Sequence, residues 1–517
     1  MLNLTPHQQE AIYTHDCNLI VVAGAGSGKT YVLVERYLAL LDRNPDWQLN
    51  QLVAITFTQK AAQEMRDRVR EALQERLYNA TDETSINLWS KRLAAMDSAR
   101  IDTIHALCAS ILRANAAEAG VDPGFEVLDE VEAQLVLENA IDDALRELVA
   151  QGNPALELFR EYDARTVREA LSEFANVEVS QLPSNLFDVW VTAWHTNADA
   201  CLQALYQDPE FLSAIEWRPD GGFPNVEDKL LDIWKACEAH IEVLKSTSDI
   251  PTHVETLKRL VSEIKLNVGS AGAWGGADTL KMAKHALRII RESARNTVER
   301  IGEYPGESDQ RAAELLPHWY VMIQHVQNAY RQAKTDRAAL DFDDLERLTR
   351  DVLRDHEHVR ARYCGKEFKQ ILVDEFQDTN AIQWEIVRHI ASPDLPGILF
   401  VVGDPKQSIY AFRGADVSVF ESVRAQIATR VGREIPLARS FRTHQILVQG
   451  FNTAFSRILV RDERSPVRDY QSTLDTPMEA ARTDAPCGEP ALEFILLDSE
   501  TYKGEDERSD KMRRWEA

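Results

Sequence analysis

Ala23-Gly24-Ala25-Gly26-Ser27-Gly28-Lys29-Thr30 constrains this chain more than any other stretch. It follows the apolar run Leu19–Ala23 and opens a helical pattern over Thr30–Leu41. Glycines let such a turn aim successive backbone N–H groups inward, where they cradle phosphate oxygens beside the positive end of the helix. Lys29 is then placed to reach the β and γ phosphates of a nucleotide, and the Thr30 hydroxyl to ligate Mg²⁺. Ala23 stands where the first glycine of this pattern commonly stands, and it is small enough for the same turn. A strand, a phosphate loop and a helix in this order predict an α/β fold with a parallel sheet.

Other β-rich apolar runs, at Leu52–Phe57, Lys369–Asp374 and Ile398–Val402, alternate with helical patterns such as Ala61–Leu77. That alternation predicts a sheet covered on both faces. Between Arg113 and Leu340 the strand-like runs vanish and amphipathic helices take over. There, Asp129 and Glu132 form a capping pair ahead of Leu137, Ile141, Ala144 and Leu148 at helical spacing. Trp190, Trp194, Trp217, Trp234, Trp274 and Trp319 in this stretch are read as packing between helices rather than as base-stacking platforms. Gly269 to Gly276 is read as a loop; with no Lys-Thr after it, a second phosphate site is not expected. Strand-like runs return at Glu434–Leu437 and Leu492–Leu497.

A length of 517 residues predicts about three domains. Hydrophobic residues at 44% supply a core and exclude disorder throughout. No run approaches the ~18 apolar residues of a membrane helix, and the N-terminus lacks the regions of a signal peptide, so a cytoplasmic protein with no membrane partner is expected. Six scattered cysteines without a C-x-x-C make a disulfide framework or a local zinc site unexpected. The net charge of −25 argues against a protein that coats nucleic acid, but not against one that holds it in a narrow groove.

Two further strand ends carry chemistry. Ile371-Leu372-Val373-Asp374-Glu375-Phe376-Gln377-Asp378 reads as a buried strand delivering carboxylates at its C-terminal end, where α/β sheets bind ligands. Asp374 is the expected Mg²⁺ ligand, and Glu375 the group that orients and deprotonates an attacking water. The run from Val401 to Gly414 ends a strand in Gln407, Tyr410, Phe412 and Arg413. Gln407 is suited to sense the γ-phosphate. Tyr410 and Phe412 suit either base stacking or core packing, and the residues alone leave both open.

Together these segments resemble the superfamily 1A DNA helicases, the UvrD/PcrA/Rep and RecB/AddA group. Leu4-Thr5-Pro6-His7-Gln8-Gln9 is similar to their Q motif, which implies Gln8 as adenine reader. Thr56-Phe57-Thr58 through Met65 is similar to motif Ia and Asp102-Thr103-Ile104-His105 to motif Ib; both contact DNA in the family. Asp374 to Asp378 matches motif II and Gly403 to Gly414 motif III. Leu437 to Arg442 resembles motif IV, implying Phe441 against the adenine and Arg442 on the γ-phosphate. Leu340 to Leu345 resembles the segment that re-enters the first motor domain.

The resemblance implies a RecA-like, nucleotide-binding motor domain (1–112 and 341–431), a helical 1B insertion (113–340) and the start of a second RecA-like domain (432–517). The 269 positions from His105 to Asp374 lean towards the RecB/AddA branch. The implied activity is an ATP-dependent DNA helicase or translocase of repair or recombination, moving 3′ to 5′, with ATP and Mg²⁺. Its implied partners are single-stranded DNA, single/double-strand junctions and a helicase-nuclease subunit. No segment resembles motifs V and VI, and motif VI supplies an arginine worth about 10³–10⁵ in rate, so turnover by these residues alone is expected to be impaired. The alternatives are a nucleotide- and DNA-binding module without unwinding activity, and a phosphate-loop ATPase unrelated to DNA.

Overall fold

The computed structural model describes residues 4–220, 222–223, 227–411, 414–429, 432–460 and 476–483. Phe412 and the expected strand Leu492–Leu497 lie outside them. The described strands are β1 (Asn18–Ala23), β2 (Leu52–Thr56), β3 (Arg100–Thr103), β4 (Glu126–Val127), β5 (Ala339–Leu340), β6 (Gln370–Val373), β7 (Leu399–Gly403), β8 (Gly432–Leu437), β9 (Arg439–His444) and β10 (Glu479–Arg482).

Six of them form one sheet in the order β3-β2-β6-β7-β1-β8, with every pairing parallel. Side chains alternate between faces, so one strand feeds two cores. Ile20, Val53, Ile55, Ile371, Val373, Leu399 and Val401 pack under the helices Ile104–Ala114, Phe342–Asp355 and Ala381–Ile390. Leu19, Val21, Ala54, Leu372, Phe400 and Val402 pack on the other side, under Lys29–Arg43 and Gln59–Asn79. Coverage on both faces explains why β1, β2, β6 and β7 read as unbroken apolar runs.

Because the strands are parallel, their C-terminal ends share one edge, and five of the expected motif segments begin there. The phosphate loop follows β1, Phe57 and Thr58 follow β2, His105 follows β3, Asp374 and Glu375 follow β6, and Asp404 follows β7.

Two boundaries differ from expectation: the helical insertion, expected over 113–340, is compact over Gln134–Ala333, and a separate sheet does not open at 432. Gly432–Leu437, expected to open a second domain, is hydrogen-bonded along the whole of β1 and forms the sheet's sixth strand. A separate sheet, β9 with β10, begins only at Arg439.

The helical stretch forms a compact unit of its own over Gln134–Ala333, while the segments on either side of it belong with the sheet. β4 and β5 pair in parallel just outside that unit, stitching together the points where the chain leaves and returns. The capping pair is present: Asp129 Oδ1 accepts from Glu132 N at 2.9 Å, and Asp129 N donates to Glu132 Oε2 at 3.2 Å. Inside the unit, helices Leu186–Gln207, Lys229–Ser246, Ile250–Glu263 and Ala277–Ile301 enclose Trp234, Phe211 and a set of leucines. Trp194, Trp234 and Trp274 are buried there.

Candidate functional site: a phosphate loop and an aromatic cleft on one sheet edge

The phosphate loop is held from outside by its carbonyls. Gly24 O accepts from Ser27 Oγ (2.8 Å), Ala25 O from Ser440 Oγ (2.9 Å), Gly26 O from Phe441 N (2.8 Å) and Ser27 O from Gln8 Nε2 (3.1 Å). The N–H groups of Gly26, Gly28, Lys29 and Thr30 have no partner among the described residues. Outward carbonyls and free inward amides at a helix N-terminus are the arrangement that binds phosphate. Gly28 adopts φ +86°, a left-handed conformation that favours glycine. At Gly26 a Cβ would come within 2.6 Å of Arg442 Cβ, so the segment after β8 can cross the loop only over a bare backbone.

Gln8 is buried, and its amide is engaged at both ends. Its Oε1 accepts from Thr5 N (3.0 Å) while Nε2 donates to Ser27 O. One hydrogen on Nε2 and one lone pair on Oε1 remain for a base. The short helix that carries it, Pro6–Tyr13, is pinned by the buried Arg36, whose Nη1 donates to Ala11 O and Thr14 O at 2.7 Å.

Lys29 Nζ lies 2.6 Å from Glu375 Oε2, so the loop that follows β1 and the turn that follows β6 meet. Glu375 sits at φ +48°, an uncommon conformation for a non-glycine residue and one that concentrates at functional sites. Burial, together with the neighbouring Glu375, pushes the Asp374 carboxyl up to about 6. Burial and Glu375 push Asp378 up to about 6 as well. Three carboxylates thus face one lysine, an excess of negative charge that a divalent cation would relieve. Asp374 and Thr30 offer only oxygen donors, the type Mg²⁺ takes, and Mg²⁺ commonly uses one or two protein oxygens beside phosphates and water. The Thr30 hydroxyl makes no hydrogen bond among the described residues. The residues present therefore fit the ion.

Gln407 turns to Asp404, its Nε2 donating to Oδ2 at 2.7 Å. Gln377, to which the motif pattern gave no role, joins the two strand ends instead. Its Nε2 donates to Glu375 Oε2 (3.0 Å) and Asp378 Oδ2 (3.1 Å), and its Oε1 accepts from Asp404 N (2.9 Å). Phe441 is 40% exposed beside the loop, and the Arg442 guanidinium has no partner among the described residues.

The expected DNA contacts among the described residues gather along the same edge. The rings of Phe57 and Tyr410 lie 4.8 Å apart, and His105 stacks on Phe342 at 4.6 Å. Thr58 and Thr103 cap the helices that follow them, their hydroxyls accepting from Ala61 N (3.1 Å) and Ala106 N (3.4 Å). A cleft of about 690 Å³ is lined by Phe57, Thr58, Thr103 and His105; among the described residues Arg113, Glu130, Asp343, Glu346 and Asp378 supply its other titratable side chains. Aromatic rings in a cleft offer faces on which bases can stack. A smaller cavity of about 50 Å³ is lined both by Asp374 and Glu375 and by Phe57 and His105.

A family model described as "UvrD/REP helicase N-terminal domain" matches residues 4–428. The chain belongs to this family. It is 31% identical, over 89% of its length, to an ATP-dependent helicase/nuclease subunit from Oceanobacillus iheyensis, of which it covers 40%. The proteins of the same name from Listeria welshimeri and Bacillus licheniformis are 26% and 27% identical over 97% of the chain, which covers 43% and 44% of them. The chain thus spans about two fifths of the length of the curated relatives it matches. These relatives agree with the RecB/AddA lean that the long insertion suggested. No described helix of this UvrD/REP family member is long and apolar enough to cross a membrane.

Proposed function

We propose that this chain is a motor segment of an ATP-dependent DNA helicase or translocase of DNA repair or recombination, moving 3′ to 5′ along single-stranded DNA at single/double-strand junctions. The observation that carries the reading is the shared cavity, lined by the Asp374 and Glu375 carboxylates and by the Phe57 and His105 rings. A nucleotide site and a base cleft this close can exchange small movements.

In the proposed mechanism, the loop amides and Lys29 take the β and γ phosphates of ATP, and Gln8 and Phe441 hold the adenine. Mg²⁺, held by Thr30 and Asp374, supplies charge neutralisation on the phosphate oxygens when bound. Lys29, once drawn to the phosphates, leaves Glu375 free to orient a water and accept its proton. Gln377 keeps that carboxylate aimed, and Arg442 adds a second positive charge near the γ-phosphate. Phe57, Thr58, Thr103, His105, Tyr410 and Phe412 hold the bases. The relatives are named as parts of a helicase/nuclease, which supports a helicase-nuclease partner for this chain.

Turnover by this segment alone is expected to be slow and to rise when single-stranded DNA is added. Equal ATP turnover with and without DNA would instead favour an ATPase unrelated to DNA. DNA and nucleotide binding with no turnover at all would favour a binding module without unwinding activity.

A further inference from the structure

Glu346 carries a buried carboxylate outside the nucleotide site, its side chain only 7% exposed in the helix Phe342–Asp355. A charge taken out of water destabilises the fold unless donors replace its hydration. Three donors from two other segments meet this one: His105 Nε2 at 2.9 Å, Asn380 Nδ2 at 3.0 Å and Gln383 Nε2 at 2.6 Å. Burial alone would raise the Glu346 carboxyl, but these three hydrogen bonds outweigh it and hold it below the usual carboxylate range.

The amide donors are themselves locked. Asn380 and Gln383 form the capping box of the helix Ala381–Ile390, with Asn380 Oδ1 accepting from Gln383 N at 2.7 Å. That bond fixes the Asn380 amide so that its nitrogen faces Glu346. His105 is gripped from a single helix, because its stacking partner Phe342 and its acceptor Glu346 stand four residues apart and share a face. An ionised carboxylate only accepts, so Nε2 carries the proton. Nδ1 has no partner among the described residues.

We propose that Glu346 is a positioning residue of the base cleft: it sets the plane of the His105 ring, with Nε2 as the donor, and ties that ring to the helix following the Asp374-Glu375 turn. The proposal rests on the reading of His105 as a DNA contact. It supplies a physical route between the two sites. The 3-10 turn Phe376–Asp378 joins Glu375 to Asn380, so a shift of the acidic turn reaches His105 through one buried carboxylate.

Glu346→Gln keeps the size of the side chain, removes its charge and sets an NH₂ group against donors. The test measures binding of a fluorescent thymidine oligonucleotide and, separately, of ATP, to the full chain carrying Glu346→Gln, His105→Ala or both. The expected result is a loss of DNA affinity of about tenfold in each single variant, a double variant no weaker than His105→Ala, and ATP affinity within about twofold throughout. Unchanged DNA binding by Glu346→Gln, or losses that simply multiply in the double variant, would overturn the proposal. Unchanged binding by His105→Ala would overturn the cleft assignment itself, and the proposal with it. Should Glu346→Gln fail to fold, Glu346→Asp keeps the charge and shortens the reach. It should bind DNA weakly and ATP normally, and wild-type DNA affinity in that variant would equally overturn the proposal.

Discussion

The two compact units bury different kinds of side chain. Among the described residues, the sheet unit hides Gln8, Arg36, Lys334, Asp341, Asp344, Glu346, Gln377, Asp378 and Asp404, while the helical unit hides only His253, Thr256 and Thr297 as polar groups. Its interior is otherwise apolar and aromatic, built around Trp234 and Phe211. An apolar interior needs volume and pattern, and it tolerates many solutions. A buried polar group needs particular partners at particular distances, and it destabilises the fold when one is removed. The sheet unit therefore carries side chains that packing alone would not select, and Gln377, Asp378 and Asp404 among them lie where β6 and β7 end. Substitutions in the two units should differ accordingly, in chemistry for one and in stability for the other.

The largest effect is expected at Lys29. Lys29→Ala should abolish measurable ATP binding while the fold persists, and an unchanged affinity by calorimetry would remove the phosphate-loop assignment. Glu375→Gln should leave ATP binding intact and lower any turnover by about 10²–10⁴, the range for a lost general base. Wild-type turnover in that variant would take Glu375 out of the role.

Trp234→Ala sharpens the contrast from the other unit. It should cost about 3–5 kcal/mol of stability through the cavity it leaves, with ATP affinity unaltered in the folded protein. Altered nucleotide affinity at full folding would break the division drawn here. Tyr410→Ala should weaken single-stranded DNA binding by about 1–3 kcal/mol if its ring stacks on a base, and a drop in melting temperature alone would make it structural.

The smallest effect concerns His15, at the end of the Gln8 helix. Burial and the nearby Arg36 lower it from an ordinary 6.5 to about 4, with Ile12 O accepting from Nε2 at 2.8 Å. Between those values the unfolded chain binds the proton and the folded chain does not. The stabilisation is therefore present above about 6.5 and lost as pH falls through about 4. His15→Gln should shrink the fall in melting temperature between pH 7.5 and pH 5 by about 1–3 °C, allowing for solvent at the ring's exposed edge. An identical fall in both proteins would remove His15 from the pH response.

The parts of the site legible in the sequence were those whose chemistry fixes residue type and spacing together. The phosphate loop is one, because free amides, a lysine and a hydroxyl must follow one another in a single turn. Asp374 and Glu375 are another, because an apolar strand announces them. Gln377 was visible but silent: its role depends on β6 lying beside β7, which brings Asp404 N to its amide. β3 went unread because its four residues alternate half-exposed Arg100 and Asp102 with buried Ile101 and Thr103, leaving no apolar run. β8 was assigned to the wrong sheet because sequence order says nothing of its pairing with β1. Nothing in the sequence sets Glu346 apart from the chain's other acids, and only the fold brings His105, Asn380 and Gln383 to it.

The most direct test of the account is the affinity of the full chain for single-stranded DNA with and without a saturating non-hydrolysable ATP analogue and Mg²⁺. If the carboxylate turn and the aromatic cleft are coupled, the analogue should change DNA affinity by about 5- to 150-fold, and DNA should change analogue affinity by the same factor. Identical DNA affinity in both conditions would contradict a motor whose two sites communicate across this sheet edge.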